Sequence, residues 1–241
     1  FDNHLKNNNE VDNIKYLKNR KIWNISFNKW DTLKINQSPE QNFGLISNGT
    51  ANVNIHDGSL LMNSRGSGWF SIVHDPWRPS PSDGGHLGPN PGLFDRKIID
   101  KRYDIAVFQT NPLQENLYIS GIPILETCVK SDHPSFDICL ALSVVNEEDK
   151  TVNQFSTGFL RIKDSKREKE CEYKISMHPT NISLIKGAKL RLSISAAAYP
   201  AIGVNSGFGE DMLGAPTIKH KIITLNFELT KTFMKMTPFL N

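Results

Sequence analysis

A chain of 241 residues is long enough to bury a sizeable core, and 38% hydrophobic with 9% aromatic residues is typical of a folded globular protein. The formal charge of +3 comes from 28 basic and 25 acidic residues, and the densest charged run, residues 163–170, alternates in sign. This pattern argues against a nucleic-acid surface, which needs clustered basic residues with interleaved aromatics. No apolar run reaches membrane-spanning length, and none resembles a signal peptide.

The first part of the chain predicts a short tail followed by β-strands. Residues 1–20 are predicted to form an amphipathic stretch and a polar linker. The domain itself is predicted to span residues 21–241. Residues 21–27 alternate apolar and polar side chains with period two, which predicts a half-buried strand. Further strands are predicted over residues 43–47, 60–62 and 69–73.

Residues 76–95 differ from everything before them, because prolines alternate with glycines over most of this stretch. A loop of this length in a compact domain is usually either functional or disordered. We therefore predict a loop over residues 76–95 and take it as a candidate functional segment.

The central region, residues 103–162, carries the clearest strand pattern. Strands are predicted over residues 105–110, 117–121, 122–129, 136–145 and 155–162, each closed by residues that favour turns. The almost wholly apolar run at 136–145 predicts a strand buried on both faces. Short strands at this spacing predict an all-β sandwich.

The last third continues the same alternation. Strands are predicted over residues 171–177, 182–185 and 190–195, and a second glycine-rich loop spans residues 203–214. Residues 219–230 are predicted to form the closing strand, and residues 233–241 a tail. The alternative for this tail is that Met234, Met236 and Phe239 pack against the domain.

The sequence lacks the residues that serine-hydrolase chemistry needs. A nucleophile elbow has the pattern Gly-x-Ser-x-Gly, and Gly66-Ser67-Gly68 lacks its spacing. None of the seven histidines pairs at the i, i+4 spacing of a zinc-binding helix. Asp132 and Asp137 offer too few oxygens for calcium, so we predict that they cap turn amides. We predict no catalytic residue, metal or cofactor in this chain.

Three cysteines, Cys128, Cys139 and Cys171, show no paired spacing. An odd count without a disulfide framework indicates a reducing compartment, so we expect a cytoplasmic protein. Cys128 and Cys139 lie within predicted strands and are expected to be small buried groups.

Several short segments, taken in order and spacing, carry a family resemblance. They are residues 108–113 (Phe-Gln-Thr-Asn-Pro-Leu), Gly121, Ser131-Asp132 before Phe136-Asp137, Gly158, residues 187–195, Tyr199-Pro200, and Asn205-Ser206-Gly207 before residues 208–211. In these segments the chain resembles the C-terminal jelly-roll domain of the X-Pro dipeptidyl-peptidase and cocaine-esterase family of serine hydrolases. The resemblance covers most of the chain.

This resemblance implies a jelly-roll β-sandwich of the galactose-binding-like kind, with residues 1–20 as the end of an α/β-hydrolase catalytic domain. The implied function is an accessory domain that walls the substrate pocket of a serine hydrolase acting on peptides or esters, and that stabilises its catalytic domain. The catalytic domain, on the same or a separate chain, is the expected partner.

The resemblance also implies two sets of site residues. Residues 84–87 match a Gly-Gly-x-Leu segment that lines the acyl pocket in the family, which places Gly85, His86 and Leu87 at the pocket wall. Past Leu87 the chain departs from the family pattern with Gly-Pro-Asn-Pro, which leaves the pocket shape and the substrate open. The alternative is that this loop is a solvated connector. Contact with the catalytic domain is expected at three further positions: Tyr199, Pro200 and Phe208.

Two other functions stay open at this stage. A free-standing carbohydrate- or ligand-binding module would display exposed aromatic platforms, for which Trp69, Trp77 and Tyr199 are candidates, although aromatics in β domains are usually core. A homo-oligomerisation module is the third alternative.

Overall fold

The computed structural model describes residues 20–24, 29–33, 36–37, 41–85, 90–146, 148, 150–208, 217–236 and 238–240. Strands account for 53% of these described residues and helices for 3%, which confirms the all-β prediction. No helix in the described residues is long and apolar enough to cross a membrane. The prediction for residues 1–20 falls on residues that, apart from Arg20, lie outside the described part.

The strands are short in the first third of the chain and longer after it. In the described residues they are β1 (Arg20–Asn24), β2 (Lys29–Leu33), β3 (Asn36–Gln37), β4 (Gln41–Ile46), β5 (Ser59–Met62), β6 (Trp69–His74), β7 (Phe94–Asp95), β8 (Ile105–Gln109), β9 (Leu117–Gly121), β10 (Ile124–Ser131), β11 (Phe136–Asn146), β12 (Thr151–Ile162), β13 (Cys171–Ser176), β14 (Thr180–Leu184), β15 (Lys189–Ser195), β16 (Ile223–Met236) and β17 (Pro238–Leu240). Short 3-10 helices cover Ile99–Lys101 and Thr217–Lys219.

The strands of the described residues form two sheets. The smaller has the order β2-β1-β14-β9-β17-β3, and the larger has the order β13-β10-β16-β4-β5-β8-β15-β11-β12-β7, with β6 paired to β16. The main core contains side chains from both, including Ile182 and Leu184 of the smaller sheet and Leu192 and Phe227 of the larger. The domain is therefore the predicted jelly-roll β-sandwich.

Strand β11 is buried on both faces, as predicted, since only its last residue is partly exposed. On one face Leu140, Leu142 and Val144 join the main core. On the other face Cys139 and Ala141 are also buried but lie outside this core. On the same side of the sheet, Ile99 packs with Ile105 and Val107 of β8 in a second apolar cluster. This second covered face holds the site described below.

The predicted C-terminal tail is wrong. Strand β16 starts at Ile223, not at residue 219, and runs through Met236, where its last residues pair with β4 and β10. The buried side chains change parity along the strand, from odd positions up to Leu229 to even positions from Thr232 onward. The pairing with β10 shifts at the same place, so an irregularity interrupts the period-two pattern and hides the continuation.

Asp57 stabilises the turn after β4 through its carboxylate. Its two oxygens accept hydrogen bonds from the Ser47 hydroxyl and from the side-chain Nδ2 of Asn48 at 2.8 Å. They also accept from the backbone amides of Asn48 at 3.1 Å and Thr50 at 3.0 Å. Partial burial raises the pKa of Asp57, but these hydrogen bonds outweigh it and lower the pKa to about 2.

This lowered pKa predicts an acid-dependent loss of stability. The contribution is complete above the ordinary pKa of 3.8 and is lost as the pH falls towards about 2, because protonation removes the acceptor. Asp57→Asn should lower the free energy of unfolding at pH 7 by about 1 kcal/mol, allowing for solvent screening. Urea unfolding of both proteins between pH 7 and pH 2 measures this difference. A gap that does not shrink below pH 4 would contradict the assignment.

Candidate functional site

Gly84 and Gly85 close the base of the proline- and glycine-rich loop. Both have positive φ angles, +69° and +70°, and a Cβ on Gly84 would lie 2.4 Å from the Phe94 Cβ. Gly85 and Gly92 exchange two backbone hydrogen bonds of 2.8 and 3.0 Å. The geometry needs glycine at these positions. Of the predicted pocket-wall residues, Gly85 is at this base, whereas His86 and Leu87 lie outside the described residues.

The segment that contains Tyr199 and Pro200 lies directly against the start of this loop. The Tyr199 amide donates to the Ser80 carbonyl at 3.0 Å, and the Ser82 amide donates to the Tyr199 carbonyl at 2.7 Å. The Ser80 hydroxyl also donates to the Ala197 carbonyl at 2.8 Å. The tertiary structure thus brings together two segments that the sequence singled out separately. The Tyr199 side chain stays 51% exposed.

Phe208 lies on a neighbouring loop and is 47% exposed. The Lys219 Nζ sits 5.1 Å from the centroid of its ring, and the Lys221 amide donates to the Ser206 carbonyl at 2.9 Å. The segment from Lys219 onward also carries His220, whose ring lies 5.8 Å from that of Trp77. Exposed large apolar side chains on these adjoining loops form what we call the apolar loop surface: Trp77, Tyr199, Phe208, Ile218 and Ile222.

A buried polar network anchors the Gly203–Phe208 segment to the sheet. Arg161 donates from Nε and Nη2 to the two Asp137 oxygens at 2.9 and 2.7 Å, and also to the Gly203 carbonyl. Asn205 Nδ2 donates to Asp137 at 2.8 Å, and its own Oδ1 accepts from the Gly207 amide at 2.9 Å. The predicted structural role of Asp137 therefore involves an ion pair between strands, not a turn cap.

His74 contacts the same network at the Asn205 carbonyl, with its Nε2 at 3.3 Å. Burial lowers the pKa of His74, while this hydrogen bond and nearby carboxylates oppose the change. The ring is therefore neutral at neutral pH, and it adds no charge to the network.

A cavity of about 540 Å³ opens beside the paired loops, over the covered face of β11 and its neighbours. Small side chains from β11 and β15 lie beneath it, including Cys139, Ala141, Ser193 and Ser195. The two loop segments line its upper part, one with Pro81, Ser82 and Gly84 and the other with Ala197, Ala198, Ala201 and Ile202. No signal in the sequence marks this cavity, because its walls come from parts of the chain more than 100 residues apart.

Among the described residues, one group has the donor types of a metal site, namely Cys128, Glu170 and Glu228. The ammonium group of Lys231 already lies 3.2 Å from Glu170 Oε2 and 2.8 Å from Glu228 Oε2. Burial raises the pKa of the Cys128 thiol to about 11, so it stays protonated at neutral pH. The arrangement is a salt-bridge cluster in which a lysine occupies the cation position.

Asp132 also has a structural role. Its Oδ1 accepts a hydrogen bond from the Thr224 amide at 2.9 Å, which ties the turn before β11 to strand β16. The capped amide is a distant one, 92 residues along the chain. All three cysteines are free, and Cys128 and Cys139 are buried within strands as expected.

Comparison with known proteins matches residues 20–231 to the family model described as the X-Pro dipeptidyl-peptidase C-terminal non-catalytic domain. No curated protein sequence matches the chain. Three similar solved structures are hydrolases of about 10–16% identity, so they inform on the fold alone.

The first of these is an aminopeptidase from a marine sediment archaeon, Thaumarchaeota archaeon, with TM-score 0.74, 15% identity and alignment over 90% of this chain and 40% of that one. An α-amino acid ester hydrolase gives TM-score 0.74 at 16% identity over 91% of this chain and 41% of that one. A CocE/NonD family hydrolase from Staphylococcus aureus gives 0.61 at 10% identity over 92% and 41%. The chain spans about 40% of the length of these structures.

Proposed function

Because this chain belongs to the X-Pro dipeptidyl-peptidase C-terminal non-catalytic domain family, we propose that it walls the substrate pocket of a serine hydrolase and stabilises its catalytic domain. The partner is an α/β-hydrolase domain, on the same or a separate chain, that cleaves peptide or ester bonds by acylating a serine. The observation that carries the proposal is the apolar loop surface beside the Gly84-Gly85 loop base.

The apolar loop surface has the features of an interface. Its side chains are large and apolar, and Ile218 is 87% exposed while Trp77 and Ile222 are 53% and 54% exposed. Exposed apolar residues grouped in this way are typical of contact surfaces, because scattered single ones are the norm elsewhere. Tyr199, Pro200 and Phe208 would contact the catalytic domain there, and the adjoining loop with Gly85, His86 and Leu87 would face the substrate.

The network of Asp137, Arg161 and Asn205 supports this role by fixing the Gly203–Phe208 segment in place. A surface held by a buried ion pair is preorganised, so little ordering free energy is lost when a partner binds. The three free cysteines support a cytoplasmic location.

The isolated chain should fold and hydrolyse nothing, since no nucleophile elbow is present in its sequence. Turnover of p-nitrophenyl esters and Xaa-Pro-anilides by the pure protein should equal the rate in buffer. Turnover well above background that a serine-directed reagent abolishes would contradict this prediction.

The pocket-wall role is tested in the whole enzyme that carries this domain. Leu87→Ala should lower kcat/KM for apolar substrates by about tenfold to two-hundredfold, the loss expected when a contacting leucine is truncated. His86→Ala, made separately, should also alter the ranking of substrates. The melting temperature should barely change.

Leu93→Ala is the matched control, because Leu93 is 49% exposed in the same loop but lies outside the Gly-Gly-x-Leu segment. It should leave kcat/KM unchanged. If Leu87→Ala keeps the wild-type ranking across acyl-chain lengths, the segment is a connector and the pocket-wall role is refuted.

A ligand-binding module remains the second candidate, because the three aromatic candidates are partly exposed: Trp69 at 39%, Trp77 at 53% and Tyr199 at 51%. The Trp77 ring, however, packs at 50° to His220, which reduces the area available to a sugar ring. Quenching of tryptophan fluorescence by a carbohydrate panel distinguishes this function. A third candidate, homo-oligomerisation through the apolar loop surface, would appear as a dimer mass in solution.

A further inference from the structure

The cavity over β11 has a floor that is polar and almost fully buried. Arg96, Gln154 and Ser193 line it, and they are 6%, 2% and 2% exposed. Arg96 and Gln154 are joined, since the Arg96 Nη1 donates to the Gln154 Oε1 at 2.8 Å. A buried arginine at the bottom of a cavity is unusual, because a charge out of water is costly unless it has partners.

The charges at this floor do not cancel. Arg96 Nε lies 3.0 Å from Asp100 Oδ1, and Arg191 Nη1 lies 3.2 Å from Asp100 Oδ2. All three side chains are buried, with exposures of 7%, 0% and 8% for Arg96, Asp100 and Arg191. One carboxylate thus serves two guanidinium groups, and this cluster carries one excess positive charge.

The Arg96 guanidinium also has N–H donors that form no hydrogen bond with the described residues. A guanidinium has five N–H groups, and those of Arg96 that form hydrogen bonds within the described residues are at Nε and Nη1. Its Nη2 donates to no described residue. Because Arg96 lines the cavity, unused donors and excess charge coincide at a space large enough for a ligand.

The upper walls are apolar. Phe159, Met177 and Ile202 line the cavity together with Ala198 and Ala201. Phe159 is 39% exposed and so lies near the mouth, whereas Met177 is 3% exposed. The cavity volume of about 540 Å³ is within the range of small-molecule sites, which combine apolar walls with a few placed polar groups.

We propose that this cavity binds a small carboxylate with an apolar body, such as a medium-chain acid. The carboxylate would pair with the Arg96 guanidinium at the floor, and the apolar body would lie between Phe159, Met177 and Ile202. A carboxylate fits better than a neutral polar group because it balances the excess charge and accepts charge-assisted hydrogen bonds.

The site is tested by titrating the 241-residue chain with decanoate in a calorimeter. Decan-1-ol and decyltrimethylammonium have the same apolar chain and serve as neutral and cationic comparators. Decanoate should bind at one site, about tenfold or more tightly than decanol, which is the factor expected of a hydrogen bond to a charged group. The cation should not bind.

Two variants locate the site. Ala198→Trp places a bulky ring at a half-buried lining position outside the polar network, and it should abolish decanoate binding. Arg96→Gln should remove the preference for decanoate over decanol. Val53→Trp is the matched control, because Val53 is 57% exposed and does not line the cavity, and it should bind as the wild type does.

Each outcome decides the proposal. Equal affinity for decanoate and decanol, no saturable binding of decanoate, or binding that survives Ala198→Trp would overturn it. If Arg96→Gln fails to fold, the comparison of the three ligands and the Ala198→Trp variant still decide. The experiment uses this chain alone, so its result does not depend on the proposed role in a hydrolase.

Discussion

Replacing Arg161 with leucine should lower the free energy of unfolding by about 3–5 kcal/mol, the cost of removing one partner of a buried ion pair. The Asp137 side chain is 1% exposed and would keep only the hydrogen bond from Asn205 Nδ2 at 2.8 Å. The Gly203 carbonyl would lose its donor as well. The loss should appear as a lower urea midpoint with an unchanged m-value.

Two further variants test whether the cost of Arg161→Leu comes from the buried ion pair. Lys174 pairs with Glu126 at 3.8 Å while 62% exposed, so Lys174→Leu should change the free energy of unfolding by less than about 1 kcal/mol. Combining Arg161→Leu with Asp137→Leu should recover part of the loss, since the buried charge is then gone. A single-variant cost no larger than that of Lys174→Leu would show that the ion pair does not anchor the loop.

Replacing Leu142 with alanine should cost about 2–5 kcal/mol, because it leaves a cavity in the closely packed core. Leu142 is 0% exposed and lies in the main core, opposite Leu192 of β15 and Ser156 of β12. Since β11 is paired on both sides, its neighbours have little freedom to collapse into the space. Chemical denaturation of the 241-residue chain measures the effect.

The matched control is Leu61→Ala in β5, where the side chain is 37% exposed. This change should cost less than about 1 kcal/mol, because it removes little area from the core. Similar costs at both positions would mean that β11 is not the centre of the core.

The strand pattern could be predicted in most of the chain because it depends on neighbouring residues. A run of apolar or alternating side chains closed by turn residues predicts each of the strands β8, β11 and β15. The sequence does not predict the C-terminal half of β16, because the buried side chains of this strand change from odd to even positions near Lys231. A period-two pattern cannot be followed across such an irregularity without knowing the partner strand.

Of the candidate site, only the loops could be predicted from the sequence. The Gly84-Gly85 pair is visible in the sequence because glycine is the residue that accepts positive φ. Asp137 and Arg161, in contrast, are 24 residues apart and become neighbours only through the register of β11 and β12. Arg191 and Asp100 are 91 residues apart, and nothing local links them.

The sequence by itself determined the all-β class, the jelly-roll resemblance and the absence of a nucleophile elbow, since these follow from local periodicity, turn chemistry and short motifs. Only the tertiary structure decided which polar side chains are buried together and where space is left unfilled. Ion pairs such as Arg96–Asp100–Arg191 and the cavity above them depend on sheet register and on how distant loops pack. Those contacts span the whole chain, so they exist only once it has folded.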